Sequence, residues 1–184
     1  MIRRGVLLMV ASLAIAAEPK LEVGQLRVEY LENPTGIDET VPRLSWKLTA
    51  KERGARQTAY RILVASSEHL LAANRGDLWD SGKVSGGETT QVVYRGKALA
   101  SRQQCYWKVR AYSGSDKHSK WSPAARWSMG LLTPEDWSAR WISYKDTSSL
   151  QKSRKELYLP PAHYYRKEFQ TTGKVSRAVL YASA

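Results

Sequence analysis

Side chains able to do chemistry are spread along this sequence and do not fall at catalytic or metal-binding spacing. The three histidines, His69, His118 and His163, stand far from one another and from the single cysteine, Cys105. Zinc and other transition metals require His, Cys or carboxylate ligands at short, regular spacing. We therefore predict no metal site.

Motifs for a nucleophile or a bound phosphate are not formed either. Gly114-Ser115-Asp116 is typical of a hairpin loop and lacks the Gly-x-Ser-x-Gly elbow that exposes a catalytic serine. Gly86-Gly87 is not followed by the Lys-Ser/Thr pair and the helix of a phosphate-binding loop. The neighbouring acids Asp38-Glu39 and Glu135-Asp136 are predicted in solvated turns. The sequence thus indicates no catalytic residue and no cofactor.

Aromatic side chains are the other group that could contact a ligand, and the sequence has seven Trp and ten Tyr against one Phe. Trp46, Trp107 and Trp127 fall at inward positions of predicted strands, so we expect them in the core. The other four are predicted to pack between domains, with contact to a carbohydrate as the alternative: Trp79, Trp121, Trp137 and Trp141. The same two alternatives apply to Tyr144, Tyr158, Tyr164 and Tyr165.

A predicted antiparallel β-sandwich over residues 21–132 positions most of these aromatic residues. Short alternating apolar runs with turn signals between them are typical of such a fold. A short helical segment is predicted at Ser67–Ala73, with Ser67 as its cap. The longest alternation, Cys105–Tyr112, is predicted to be the central strand. The other six predicted strands are Leu21–Tyr30, Arg43–Leu48, Ala59–Ala65, Leu78–Trp79, Gln91–Tyr94 and Ala125–Met129.

Residues 133–184 are predicted to be a linker followed by the start of a second β-sandwich. Thr133-Pro134-Glu135-Asp136 marks the boundary, because a proline is followed by acids and a new aromatic segment begins. Two strands are predicted beyond it, at Tyr164–Phe169 and Val175–Tyr181. Two strands cannot bury a face by themselves, so we expect this chain to be a truncated part of a larger protein.

Residues 1–17 have the pattern of a secretory signal peptide. Arg3 and Arg4 precede the apolar run Val6–Ala16, which ends in the small-x-small pattern Ala14-Ile15-Ala16. The run is short for a membrane span, so an uncleaved anchor is the less favoured alternative. We expect delivery to the periplasm or the extracellular space and no membrane span after removal of the signal.

The chain is basic, with a formal net charge of +12. Cationic side chains are frequent between Arg140 and Arg177, but no nucleic-acid-binding motif occurs among them. We interpret this segment as a solvated basic face, with a polyanion site as the less favoured alternative, and expect no nucleic-acid partner.

Several stretches of the sequence occur together, in a fixed order, in one known family. These stretches are Pro42–Trp46, Ala59–Val64, Leu78–Val84, Tyr106–Arg110, Trp121–Pro123, Trp127–Leu132, Trp137–Ile142, Tyr165–Phe169 and Val175–Tyr181. Their order and spacing resemble the N-terminal region of bacterial α-L-rhamnosidases of glycoside hydrolase family 78.

The resemblance implies an all-β fold, in which a fibronectin type III/immunoglobulin-like sandwich is followed by the opening strands of a second, truncated β-sandwich. It also implies a parent enzyme that removes terminal α-L-rhamnose from glycosides or polysaccharides with acidic residues in a helical barrel far downstream. This chain would then be a non-catalytic accessory module. Its partners would be the downstream accessory and catalytic domains, and rhamnose-containing glycans are a further candidate. The alternative is a free-standing extracellular module that binds glycan or protein.

Overall fold

The computed structural model describes residues 21–114, 117–143 and 164–182. The chain divides into two compact units, Met1–Ser138 and Ala139–Ala184. The predicted signal peptide, Tyr144 and Tyr158 lie outside the described residues.

Two antiparallel sheets form the first unit. The smaller sheet has the order β1-β2-β6, from β1 (Leu21–Val28), β2 (Arg43–Ala50) and β6 (Val92–Val93). The larger sheet is built on β3 (Ala59–Ala65) and β7 (Gln104–Ser113), which pair along seven residues from Ala59–Tyr112 to Ala65–Tyr106.

Short strands complete both edges of the larger sheet. On one side of the central pair, β3 carries β4 (Trp79–Asp80) and β5 (Val84–Ser85). On the other side, β7 carries β8 (Lys117–His118) and β9 (Ala125–Ser128). All seven strands predicted for residues 21–132 therefore exist with small shifts in their ends, and β5 and β8 are additions that the sequence did not indicate.

The core lies between the two sheets, because strand residues alternate between the two faces of a sheet. Trp46, Trp107 and Trp127 are 2%, 0% and 1% exposed, which confirms that these three tryptophans are core residues. Cys105 is also buried in this core. Burial in apolar surroundings raises the pKa of the Cys105 thiol to about 12, since the charged thiolate is poorly solvated there.

A helix covers part of the outer face of the larger sheet. The helix α1 (Glu68–Ala72) begins after Ser67, whose hydroxyl accepts a hydrogen bond from Leu70 N at 3.3 Å, as the sequence predicts. Leu71 of this helix packs on Leu63 and Ala65, and all three residues are buried. Strand β3 is therefore buried on both faces where α1 lies on it.

Residues around the predicted boundary belong to the first unit. Pro134–Asp136 forms one turn of 3-10 helix, with a proline at its start and Thr133 and Asp136 bonded to each other. The carboxylate of Asp136 also accepts a hydrogen bond from Ser101, and this bond is the main reason that the pKa of Asp136 is lowered.

The described part of the second unit, residues 139–143 and 164–182, contains no strand. The structure differs here from the sequence analysis, which predicts strands at Tyr164–Phe169 and Val175–Tyr181. Tyr164, Phe169 and Leu180 are 96%, 80% and 88% exposed. An alternating segment becomes a strand only when a partner takes its backbone hydrogen bonds, and no partner strand occurs in these ranges. Within the described ranges of the whole chain, no helix has the length and apolar character needed to cross a membrane.

Candidate functional site

A groove lies at one open edge of the sandwich in the first unit. We call it the edge groove; its volume is about 490 Å³. One wall comes from β4, β5 and their turn, and the other comes from β6 and the loop before it. The lining residues are Tyr60, Trp79, Ser81, Val84, Ser85, Glu88, Thr90, Gln91, Val92, Val93 and Arg95.

Trp79 is the aromatic residue that the sequence analysis singled out and the structure places in this groove. Its side chain is half-buried, and its ring contacts that of Tyr94 in edge-to-face geometry at a centroid distance of 5.4 Å. Tyr94 in turn contacts Trp127, and Trp127 contacts Trp107, both in edge-to-face geometry. Trp79 therefore stands at the surface end of a row of four rings that runs into the core, which fixes its position.

The loop between β5 and β6 is held in place by one buried glutamine. Gln57, 6% exposed, accepts a hydrogen bond from the Trp46 indole at 3.1 Å. Its amide nitrogen donates to the carbonyl of Glu88 at 2.8 Å and to that of Gly86 at 3.3 Å. A buried side chain that satisfies three groups in this way gives the loop one defined conformation.

The groove also contains charges of both signs. Burial raises the pKa of the Tyr60 hydroxyl, the Glu88 carboxylate raises it further, and the Arg95 guanidinium opposes the increase. Glu88 and Arg95 therefore both act on the Tyr60 hydroxyl, with the carboxylate as the stronger influence.

Trp121 lies on the outer face of the larger sheet and contacts two cations. The guanidinium carbon of Arg110 is 3.8 Å from the centre of the indole ring, and Lys108 Nζ is 5.1 Å from it. The same Lys108 ammonium donates to the Leu71 carbonyl at 2.6 Å and to Asn74 Oδ1 at 2.7 Å, which ties β7 to α1. Trp121 thus packs within the first unit by cation–π contact.

Two buried serines fix the segment that carries Trp121. The hydroxyl of Ser119 accepts a hydrogen bond from Ala111 N, and that of Ser122 accepts one from Val109 N, both at 3.1 Å. The backbone N–H groups of the same serines donate to the carbonyls of Ala111 and Val109. The segment therefore pairs with β7 through side chains as well as backbone.

The remaining candidate aromatics are at the surface. Trp137 follows the 3-10 turn of the first unit and is 37% exposed. In the second unit Trp141 is 79% exposed, and Tyr165 is 54% exposed. The structure therefore brings Trp79 into a groove, gives Trp121 a packing role, and leaves Trp137 and Trp141 open to a partner.

No group of three or more His, Cys, Asp or Glu residues could hold a metal ion within the described ranges. Several acids there are engaged in local pairs. Asp80 accepts two hydrogen bonds from Arg61, at 2.9 Å and 2.6 Å, and Glu29 is paired with Arg43. These contacts are the main reason that the pKa values of Asp80 and Glu29 are lowered.

Three groove or loop-anchoring residues, Gln57, Glu88 and Arg95, are not indicated as site residues by the sequence. They are polar residues of loops, and they meet only because β2, β3, β5 and β6 bring distant parts of the chain together. The only residue of the edge groove that the sequence indicated was Trp79, which stands beside the turn at Asp80-Ser81-Gly82.

Comparison with known proteins identifies a family model that matches this chain. The model is described as a Rha78A-like, N-terminal immunoglobulin domain, and it matches residues 23–133. Two relatives named alpha-L-rhamnosidase are similar to this chain over 158 and 123 residues. The one from Formosa agariphila is 39% identical and covers 85% of this chain, and the one from Streptomyces avermitilis is 41% identical and covers 67%.

Solved structures show the same similarity. Streptomyces avermitilis alpha-L-rhamnosidase, solved in complex with L-rhamnose, superposes with a TM-score of 0.63 over 67% of this chain. Alpha-L-rhamnosidase from Dictyoglumus thermophilum is 37% identical, with a TM-score of 0.64 over 71% of the chain. The matched parts make up 12% and 14% of those two chains, and 17% of the Formosa agariphila relative.

Proposed function

Because this chain belongs to the family of Rha78A-like N-terminal immunoglobulin domains, we propose that it is the non-catalytic N-terminal part of an α-L-rhamnosidase. In this role the sandwich is a structural module for the accessory and catalytic domains of the same protein. The parent protein would hydrolyse terminal α-L-rhamnose from glycosides or polysaccharides.

The observation that carries this proposal is the extent of the similarity. The Formosa agariphila relative matches 85% of this chain, a larger share than residues 1–133 alone can supply. The similarity therefore continues beyond the sandwich into residues 134–184. It supports the proposal that residues 133–184 lead from a linker into an accessory β-domain.

None of the described acids with a shifted pKa has the raised value of a catalytic acid. Inverting glycoside hydrolysis needs one protonated carboxylic acid with a raised pKa and one carboxylate base, about 6.5–9.5 Å apart. The four described acids with a shifted pKa all have it lowered, and such groups stay ionised at neutral pH. They are Glu29, Asp77, Asp80 and Asp136.

The direct test is hydrolysis of 4-nitrophenyl α-L-rhamnopyranoside by the purified chain. We expect nitrophenol release at the rate of the buffer blank, with the complete Streptomyces avermitilis enzyme as the positive control. Release above the blank by this chain would show that the chain itself is catalytic.

The proposal has two further parts, the first based on the sequence and the second on the structure. The pattern of residues 1–17 supports secretion to the periplasm or the extracellular space. A half-buried tryptophan in the edge groove supports a second role of the module, contact with a glycan, and Trp137 and Trp141 offer surface for contact with neighbouring domains.

A further inference from the structure

We propose that the edge groove binds one neutral sugar ring, with the Trp79 indole against the apolar face of the sugar. This inference rests on the glycan contact proposed above as the second role of the module. It adds the site and the chemical class of the ligand.

The groove has the size and the mixture of groups that such a ligand requires. Its volume of about 490 Å³ lies within the range of about 300–1,000 Å³ that is usual for small-molecule sites. A pyranose has C–H groups on its faces and hydroxyl groups around its edge. The ring of Trp79 can pack against the C–H groups of the sugar face. Ser85, Thr90 and Glu88 offer hydroxyl and carboxylate groups that can form hydrogen bonds with the sugar hydroxyls.

The walls of the groove are fixed before any ligand arrives. Gln57 holds the carbonyls of Gly86 and Glu88 from inside the protein, and Trp46 N donates to Thr89 O at 2.8 Å. Gln91 at the end of this loop has a φ of +59°, a left-handed conformation that residues other than glycine rarely adopt. Strained backbone of this kind persists only where its surroundings determine it, and it is frequent at binding sites.

The charges in the groove favour a neutral sugar over an acidic one. Glu88 lies in the lining between Ser85 and Thr90, the two residues that offer hydroxyl groups to the sugar. A carboxylate on a sugar held by these hydroxyl groups would lie close to the Glu88 carboxylate, and repulsion between like charges weakens binding.

The test is an NMR titration of the ¹⁵N-labelled full chain with L-rhamnose, D-galactose and D-galacturonic acid. The last two sugars differ only by the carboxylate at C6. We expect saturable shifts with at least one neutral sugar, confined to residues 79–95 and including the Trp79 indole N–H. Galacturonic acid should bind more weakly than galactose.

Three variants make the test specific. Trp79→Ala should weaken binding of the neutral sugar at least about tenfold, a loss of about 1.4 kcal/mol. Trp141→Ala, the matched control at a tryptophan of the second unit, should leave the dissociation constant unchanged. Glu88→Gln should bring the affinity for galacturonic acid close to that for galactose, a gain that a misfolded variant would not show.

Two results would overturn the inference. Saturable shifts elsewhere that survive Trp79→Ala would retain glycan contact but reject the edge groove. Absence of saturable shifts with all three sugars would reject both the groove and the glycan role. Neither result bears on the role of the chain as a non-catalytic module of a larger enzyme.

Discussion

Changing Trp107 to alanine is expected to lower the free energy of unfolding of the first unit by about 3–5 kcal/mol, the usual cost of removing a buried Trp or Phe. Trp107 is 0% exposed, lies on the central strand β7 and contacts the ring of Trp127 at a centroid distance of 6.5 Å. The variant would leave a cavity that cannot close easily, because β7 is held by paired strands on both sides. Denaturant unfolding followed by circular dichroism measures the change.

Two companion variants separate this cavity from a general loss of aromatic side chains. Trp107→Phe should lower the free energy of unfolding less than Trp107→Ala does, because the phenyl ring still fills part of the space. Trp137→Ala removes a tryptophan that is 37% exposed and should change the free energy of unfolding by no more than about 0.5 kcal/mol. Equal losses for Trp107→Ala and Trp137→Ala would show that the core has been placed wrongly.

Changing Gln57 to leucine is expected to lower the free energy of unfolding of the first unit by about 2–4 kcal/mol. Leucine has nearly the same volume but no polar atoms, so the Trp46 indole N–H and the carbonyls of Gly86 and Glu88 lose their partner. Each buried polar group left without a hydrogen bond costs about 1–3 kcal/mol. The loss should be below the simple sum, because the carbonyl bonds are only partly buried and water can replace some of them.

Gln103→Leu is the matched control for this experiment. The Gln103 side chain accepts one exposed hydrogen bond, from Ala100 N at 2.7 Å, which water can replace at little cost. We expect Gln103→Leu to lower the free energy of unfolding by less than about 1 kcal/mol. If the two leucine variants unfold at the same denaturant concentration, Gln57 does not anchor the loop between β5 and β6.

Much of the first unit could be predicted from sequence because its strands are locally patterned. Alternation from Cys105 to Tyr112 identified β7 and the inward positions of Trp107 and Cys105, since successive side chains point to opposite faces. The serine that caps α1 could also be predicted, because a cap is recognised from the residues directly beside it in the sequence. The strands β5 and β8 could not be predicted, because Val84–Ser85 and Lys117–His118 are too short to show any alternation.

The edge groove could not be predicted, since it depends on pairing between distant segments. Gln57 reaches carbonyls about thirty positions away along the chain, and no local pattern indicates such a contact. The reverse error occurs at Tyr164–Phe169 and Val175–Tyr181, where local alternation predicts strands that the structure does not form. A strand needs a neighbour as well as a pattern.

The central claim, that this chain is the N-terminal module of a larger rhamnosidase, is tested most directly by reading the gene beyond the codon for Ala184. We predict that the reading frame continues into a long chain, with the helical pattern of a barrel and clustered Asp and Glu residues. A stop codon directly after Ala184 would contradict this account, and glycan binding by the module alone would then become its main function.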